Sequence, residues 1–188
     1  MKKLLLVGVL LTTVTIFGYS QTPNVQFGLK AGVNVANLDV SGGSDFDSRT
    51  SFHVGGLAHI HLSKHFAVQP ELYYSGQGGK NSDGTLKTDF INLPVLLQYM
   101  AGTGFRLQTG PQLGFLTRAE FEEGNVEVDV KDGYEPVDFS WVFGASYIFP
   151  SRLGFDARYN LGITNIRESS SPDYKNRVFA IGMFYQFK

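Results

Sequence analysis

The sequence has no cysteine, a single tryptophan and only three methionines among its 188 residues. Without cysteine, a disulfide framework, a thiolate metal site and a cysteine nucleophile are all excluded. The formal net charge is −1, so the chain lacks the basic excess that binds nucleic acid, and we expect no nucleic-acid partner. Mean hydropathy is −0.07, which is too polar for a protein that crosses a membrane with helices.

Long hydrophobic runs are also scarce, and the one that is present lies at the N-terminus. Lys2 and Lys3 precede the apolar run Leu4–Phe17, which is 14 residues long. A positive start, a short apolar run and small residues after it are typical of a secretory signal. We therefore predict a cleaved signal peptide at residues 1–20 and one mature domain at residues 21–188. An uncleaved anchor helix is the alternative, but the run is short for a membrane span.

What the chain does have is glycine and aromatic residues: 22 glycines and 14% aromatics, which favour strands and tight turns. Eight segments alternate between apolar and other residues with the period of two that a β-strand requires. The last is the clearest, because Phe179, Ile181, Met183, Tyr185 and Phe187 fall on one face. The predicted strands are Val25–Ala36, Ser51–Leu62, Phe66–Ser75, Asp89–Met100, Phe105–Thr117, Val137–Phe149, Leu153–Ile163 and Arg177–Lys188.

The connections between these strands alternate between long and short. The long connections lie at residues 37–49, 76–87, 118–136 and 164–176, and the short ones at 63–65, 101–104 and 150–151. Short periplasmic turns and long outer loops are typical of an outer-membrane barrel. We therefore predict an all-β fold, an eight-stranded antiparallel up-and-down transmembrane β-barrel, with both mature termini on the periplasmic side.

Alternation alone does not decide whether the apolar face contacts lipid or a core, and a soluble lipocalin-like carrier would turn that face inward. The opposite faces hold glycine, amides and histidines, with too few charges for a solvated surface. Aromatic residues gather near the strand ends, as interfacial girdles require. We therefore expect outer-membrane lipid on the apolar face. Pro70, Pro94 and Pro111 fall inside predicted strands and count against regular ladders there, unless they lie at bulges.

Charged residues project from the other face into the predicted lumen: Lys30, Glu71, Arg106, Asp156 and Arg158. An eight-stranded barrel leaves a lumen just wide enough for side chains, and buried charges need partners. We therefore predict a polar network that fills the lumen. The alternative is a gated pore whose ion pairs rearrange.

Two other groups of residues could carry chemistry. His59 and His61 share a face with His53 at a spacing that could chelate a metal, although hydrogen-bonded lumen histidines are the simpler interpretation. The segment 118–136 carries seven acidic and two basic residues, which could bind calcium but lacks the spacing of a dedicated loop. It could also include a hairpin, because Val126, Val128 and Val130 alternate with charges. No catalytic motif stands out, so we expect no enzymatic activity, no cofactor and no resident metal.

Several segments resemble the outer membrane protein β-barrel domain family of Gram-negative bacteria, which includes PorT-like and small porin-family proteins. The segments are F-G-L-K-A-G-V-N-V-A-N-L (27–38), V-Q-P-E-L-Y-Y-S-G-Q-G (68–78), I-N-L-P-V-L-L-Q-Y (91–99), G-P-Q-L-G-F-L (110–116) and the C-terminal aromatic strand. The resemblance implies a barrel located in the outer membrane. Tyr185 and Phe187 also resemble the C-terminal signature by which the barrel-assembly machinery recognises its substrates.

The functional expectation is a structural, adhesion or binding protein that acts through its extracellular loops. A small passive pore is one alternative. A PorT-like accessory component of a protein-secretion system is another, because the resemblance to PorT implies a secretion pathway. Either way, we expect partners outside the cell or in a secretion machine.

Overall fold

The computed structural model describes residues 25–41, 47–82, 84–124, 126–167 and 173–187. Within these ranges the strands are β1 (Val25–Val40), β2 (Asp47–His61), β3 (Phe66–Lys80), β4 (Thr85–Ala101), β5 (Phe105–Glu123), β6 (Val126–Asp129), β7 (Val137–Ile148), β8 (Leu153–Gly162) and β9 (Tyr174–Gln186). One turn of 3₁₀ helix, Lys131–Gly133, precedes β7. Among the described residues, no helix has the length and apolarity to span a membrane. The predicted signal peptide at residues 1–20 lies outside the described residues.

Eight of these strands form a closed antiparallel barrel. Each strand pairs with its neighbours along the chain, and β1 closes the ring by pairing with β9 from Gly28 opposite Gln186 to Val40 opposite Tyr174. Strand β5 pairs with both β4 and β7, while β6 is an additional short strand on the far end of β5. The eight-stranded antiparallel barrel predicted from the sequence is therefore confirmed.

The strands are longer than the sequence predicted at the end that carries the long connections. Strand β1 ends at Val40 instead of Ala36, and β5 ends at Glu123 instead of Thr117. The outward residues in these extensions are polar, so the alternation that marks a lipid-facing strand stops while the hydrogen-bonded ladder continues. The ladder also keeps its register at Pro70, opposite Val95.

The barrel wall is apolar outside and polar inside over most of its height. Phe27 on β1 is 64% exposed and Leu72 on β3 is 55% exposed, whereas Lys30, Glu71 and Gln98 face inward and are buried. A water-soluble carrier of the lipocalin type would have the opposite arrangement, with its apolar side chains inside. The outer face is therefore suited to lipid.

This polarity reverses at the end of the long connections. On the outside, Arg177 pairs with Asp39 at 2.6 Å. On the inside, apolar side chains are buried in two clusters packed against Val130 and Tyr134. We call these clusters the cap; they consist of Leu38, Leu86 and Ile166 in one and Phe90, Leu116 and Ala119 in the other. The cap is an ordinary apolar core that closes one end of the barrel.

A β-bulge in β5 contributes to this reversal. Phe90 pairs with Leu116 but Asp89 pairs with Arg118, so β5 holds one additional residue, Thr117. The Thr117 hydroxyl donates a hydrogen bond of 2.9 Å to the Asp89 carbonyl oxygen, which satisfies a group at the irregularity. One extra residue changes which residues of a strand face inward. The buried residues of β5 are even-numbered from Arg106 to Leu116, whereas beyond the bulge Ala119 is the buried residue that continues into the cap.

Candidate functional site

The middle of the lumen contains a cluster of four charges contributed by three strands. The Arg158 guanidinium on β8 donates two hydrogen bonds of 2.7 Å to the two carboxylate oxygens of Glu71 on β3. Lys30 Nζ on β1 lies 3.2 Å from Glu71 Oε2 and 3.5 Å from Asp156 Oδ2. Arg158 Nε lies 2.5 Å from Asp156 Oδ2. We call Lys30, Glu71, Asp156 and Arg158 the lumen charge cluster, and its formal charge is zero.

Glycines on the inner wall make room for these long side chains. Gly144 on β7 pairs directly with Arg158, and a Cβ atom at position 144 would lie 3.0 Å from Arg158 Cγ. Gly182 on β9 pairs with Asp156, and a Cβ atom there would lie 3.0 Å from Asp156 Oδ1. Glycines on the inward face therefore lie next to large charged side chains, and this arrangement fits the narrow lumen of an eight-stranded barrel.

Neutral polar groups complete the contacts of the cluster. Gln69 Nε2 donates to Glu71 Oε1 at 2.7 Å, and Lys30 Nζ lies 5.0 Å from the centre of the Tyr73 ring. The Tyr73 hydroxyl donates to Gln112 Oε1 at 2.6 Å, which links the cluster to β5. Since Glu71 interacts with three different side chains, moving any one strand inward or outward would disturb several contacts at once.

The structure brings together four of the five predicted lumen charges and leaves Arg106 apart. Arg106 Nη2 donates a hydrogen bond of 3.3 Å to Gln186 Oε1, and no ion pair of Arg106 is present among the described residues. Tyr73 is a further residue of this site, and the sequence gave no signal for its role. Its contact with Lys30 depends on the strand pairing, because both residues lie opposite Gly55 of β2.

The three histidines of β2 do not form one site. His53 Nδ1 lies 2.8 Å from Asn34 Oδ1, near the lumen charge cluster. His59 and His61 lie farther down the strand, with ring centres 4.5 Å apart in an edge-to-face arrangement. In the described parts of the chain, no group of three histidine, aspartate, glutamate or cysteine side chains could hold a metal.

The outer end of the barrel carries an acidic hairpin, which we define as residues 120–129 at the end of β5 and in β6. Its ladder places Glu122 opposite Glu127 and Glu120 opposite Asp129. Lys87 on β4 lies between the first two, with Nζ 3.0 Å from Glu122 Oε2 and 2.6 Å from Glu127 Oε1. The hydrogen bond from Lys87 lowers the pKa of Glu127, and the same contact raises the pKa of Lys87. The hairpin that the valine alternation indicated is therefore present.

Strand β6 of the acidic hairpin is fully exposed. Its four residues include Val126 at 60% and Val128 at 52%. Glu123 and Asp129 of the same hairpin are exposed and form no ion pair within the described residues. These accessible carboxylates make the hairpin the candidate recognition surface.

The sequence profile of a known family matches residues 19–168, and its description is outer membrane protein beta-barrel domain. The match covers most of the chain. The chain belongs to this family of outer-membrane β-barrels. Membership locates the protein in the outer membrane. The comparison with curated protein sequences finds no relative.

Solved structures of outer-membrane barrels share the fold at low sequence identity. Neisserial surface protein A is 16% identical with a TM-score of 0.64, over 86% of this chain and 97% of that one. Ail, the attachment invasion locus protein of Yersinia pestis, is 15% identical with a TM-score of 0.52, over 86% and 98%. Ail in complex with the heparin analogue sucrose octasulfate is 15% identical with a TM-score of 0.51, over 87% and 99%. These likenesses show the fold alone.

Proposed function

We propose that this outer-membrane barrel is a closed recognition protein that binds a cationic partner outside the cell through its acidic hairpin. The barrel serves as the membrane anchor, and the extensions of its strands carry the binding surface. The observation that carries this proposal is the contrast between a filled interior and an exposed hairpin with both acidic and apolar side chains. A transport protein would need the reverse, an open interior.

The filled interior argues against the alternative of a small passive pore. A permeating ion would have to pass the lumen charge cluster and then the apolar cap. Glu71 is 4% exposed and its partners are equally buried, so parting them would leave uncompensated charges in the lumen. Breaking one partner out of a buried ion pair typically costs about 3–5 kcal/mol.

The charge of the hairpin determines the kind of partner. Residues 120–129 hold five acidic residues and no basic one. Lys87 contacts Glu122 and Glu127, but Glu123 and Asp129 form no ion pair within the described residues. A polyanion of the kind bound to Ail would therefore be repelled here. A basic protein surface or peptide would meet complementary charge.

Delivery to the outer membrane is part of the same proposal. Residues 1–20 serve as the export signal, and Tyr185 and Phe187 serve as the recognition element for the barrel-assembly machinery. The two rings lie on the outward face of the last strand with their centres 5.6 Å apart, and both are more than 40% exposed. They are therefore accessible to a receptor before lipid covers them.

The test is binding of proteoliposomes that contain the full mature barrel to immobilised extracellular proteins of known charge. We expect retention on basic proteins and little retention on acidic ones. The double variant Glu123→Gln/Asp129→Asn should lower the affinity for a basic protein at least tenfold, because neither carboxylate forms an ion pair within the described residues and both are exposed to a partner. The matched control is Asp47→Asn, an exposed acid at the start of β2, which should leave binding unchanged. Equal retention of wild type and the double variant would refute the proposal.

A further inference from the structure

Arg106 is a buried cation without a counter-charge near the periplasmic end of the lumen. It is the second residue of β5 and is 6% exposed. Its Nη2 atom donates to the neutral Gln186 amide at 3.3 Å, and its Nη1 atom has no hydrogen-bond partner among the described residues. The other four lumen charges predicted from the sequence neutralise one another in the lumen charge cluster. The lower lumen thus carries one uncompensated positive charge, which is costly in a low-dielectric interior.

Several side chains around Arg106 carry a hydrogen-bond donor that lacks an acceptor, although Gln98 also has an unpartnered acceptor oxygen. Gln186 uses its carbonyl oxygen for Arg106, which leaves its amide Nε2 without a partner. Gln108, two residues along the same face, uses its oxygen to accept from Gln98 at 2.9 Å and also keeps a free Nε2. Ser146 lies directly opposite Arg106 on β7 with an unpartnered hydroxyl. His59 lies close enough for the guanidinium charge to act on its ring, and the side-chain amides of Gln98 and Gln69 also approach that ring.

We infer that this donor-lined part of the lumen is a binding site for a small monovalent inorganic anion of the halide class. Such an ion would accept hydrogen bonds from Arg106 Nη1 and from the amide groups of Gln108 and Gln186, and it would neutralise the charge of Arg106. A metal cation is excluded by the sign of the Arg106 charge. A divalent oxyanion would leave a net negative charge in the same buried surroundings.

The test compares unfolding of the mature barrel in zwitterionic detergent micelles in sodium chloride and in sodium gluconate at equal ionic strength. Unfolding by urea is followed by the fluorescence of Trp141, the single tryptophan. For one site, each tenfold rise in chloride above the dissociation constant should raise the folding equilibrium constant by up to tenfold. Gluconate is too large for the site and should have no such effect.

Two variants and one direct measurement make the result specific. Arg106→Gln should abolish the chloride dependence, whereas Lys64→Gln, which removes an exposed cation from the turn between β2 and β3, should retain it. If Arg106→Gln does not fold, wild-type crystals soaked in bromide provide the second test, with an anomalous peak expected within hydrogen-bond distance of Arg106 Nη1. Identical wild-type midpoints in both salts, dependence that persists in Arg106→Gln, or bromide absent from Arg106 would each overturn the inference.

Discussion

Glu71 is the residue on which most of the lumen contacts depend. Both of its carboxylate oxygens accept from Arg158, and Lys30 and Gln69 each approach one of them. The pairing with Arg158 is bidentate, which is the strong geometry for a guanidinium and a carboxylate. A buried ion pair is weak evidence for stability as such, but the loss of one partner is severe because the other charges stay buried.

We therefore predict that Glu71→Gln destabilises the barrel by about 3–5 kcal/mol, because Lys30 and Arg158 would be left with Asp156 as their one carboxylate. The measurement is the free energy of unfolding by urea in detergent micelles. The matched control is Glu122→Gln in the acidic hairpin, where the pair with Lys87 is exposed and a loss of less than about 1 kcal/mol is expected. Equal effects of the two substitutions would contradict the assigned role of Glu71.

Among the elements, β9 is the strand that closes the barrel by pairing with β1. Tyr185 of β9 lies opposite Leu29 of β1 in this ladder. The inward face of β9 includes Gln186, and its outward residues are apolar. A strand with this outward face needs lipid or a partner to cover it. The backbone of its last residues pairs with β1. For the rings of Tyr185 and Phe187 we propose a separate role, recognition by the assembly machinery.

Tyr185→Ala/Phe187→Ala separates these two roles, because it keeps the backbone and removes the rings. We predict that this variant refolds in detergent micelles but fails to reach the outer membrane in cells, as measured by heat-modifiable gel migration of membrane fractions. Deletion of 185–188 should fail in both assays, since it also removes backbone pairing with β1. The control is Phe27→Ala on the outward face of β1, which should assemble. Normal assembly of the double variant would show that the rings are not a signal.

The elements also show what the sequence could and could not predict. Period-two alternation located eight strands and separated inward Lys30, Glu71 and Asp156 from the lipid face, because side-chain direction in a strand is fixed by residue parity. The contacts among these side chains could not be predicted from the sequence, because residue parity gives the face of a strand but not the height of each residue in the lumen. For this reason the sequence assigns Arg106 to the lumen but does not show that it lies apart from the other four charges.

The outer extensions were missed for a related reason. Between Thr117 and Glu123 the hydrophobic residues change face, and a pattern search interprets lost alternation as a loop. The structure shows that the ladder between β4 and β5 continues there, with Leu86 opposite Phe121 and Thr88 opposite Ala119. The cap therefore could not be predicted from strand periodicity, although all of its apolar residues are visible in the sequence.

At the scale of the whole molecule, two cores of opposite polarity are stacked along one barrel. Strand β1 has 16 residues. At about 3.3 Å per residue and a tilt of about 40°, such a strand rises about 40 Å, which exceeds the apolar band of about 25 Å. The parts of the strands that extend beyond the apolar band form the cap and the base of the acidic hairpin. The lumen charge cluster and the cap thus obstruct the same axis at two successive heights.

We predict that the purified barrel produces no channel events in planar bilayers across many insertions, because an ion would have to cross both obstructions. Heat-modifiable migration of the inserted protein and an open porin in the same bilayer are the controls for folding and for detection. The variant Leu38→Ala, which opens a cavity in the cap but leaves the lumen charge cluster intact, should remain silent. Discrete conductance steps in the wild type would contradict the closed interior.

Thr117 determines how β5 responds to a change of length. Outer segments of barrels are normally the tolerant regions, where length changes are absorbed by loops. Loss of Thr117 would remove the bulge and leave Ala119 and Phe121 facing inward, because Leu116, Arg118 and Ala119 would then alternate regularly opposite Phe90, Asp89 and Thr88. One residue inserted after Arg118 would instead act like a frameshift: it would turn Ala119 and Phe121 toward water and bring Glu120 to the place of Phe121 beside Leu38 and Leu86. Variation in length among related chains should therefore tolerate the loss of Thr117, avoid insertions between Arg118 and Glu123, and accumulate beyond Glu123, where the strand has already left the cap.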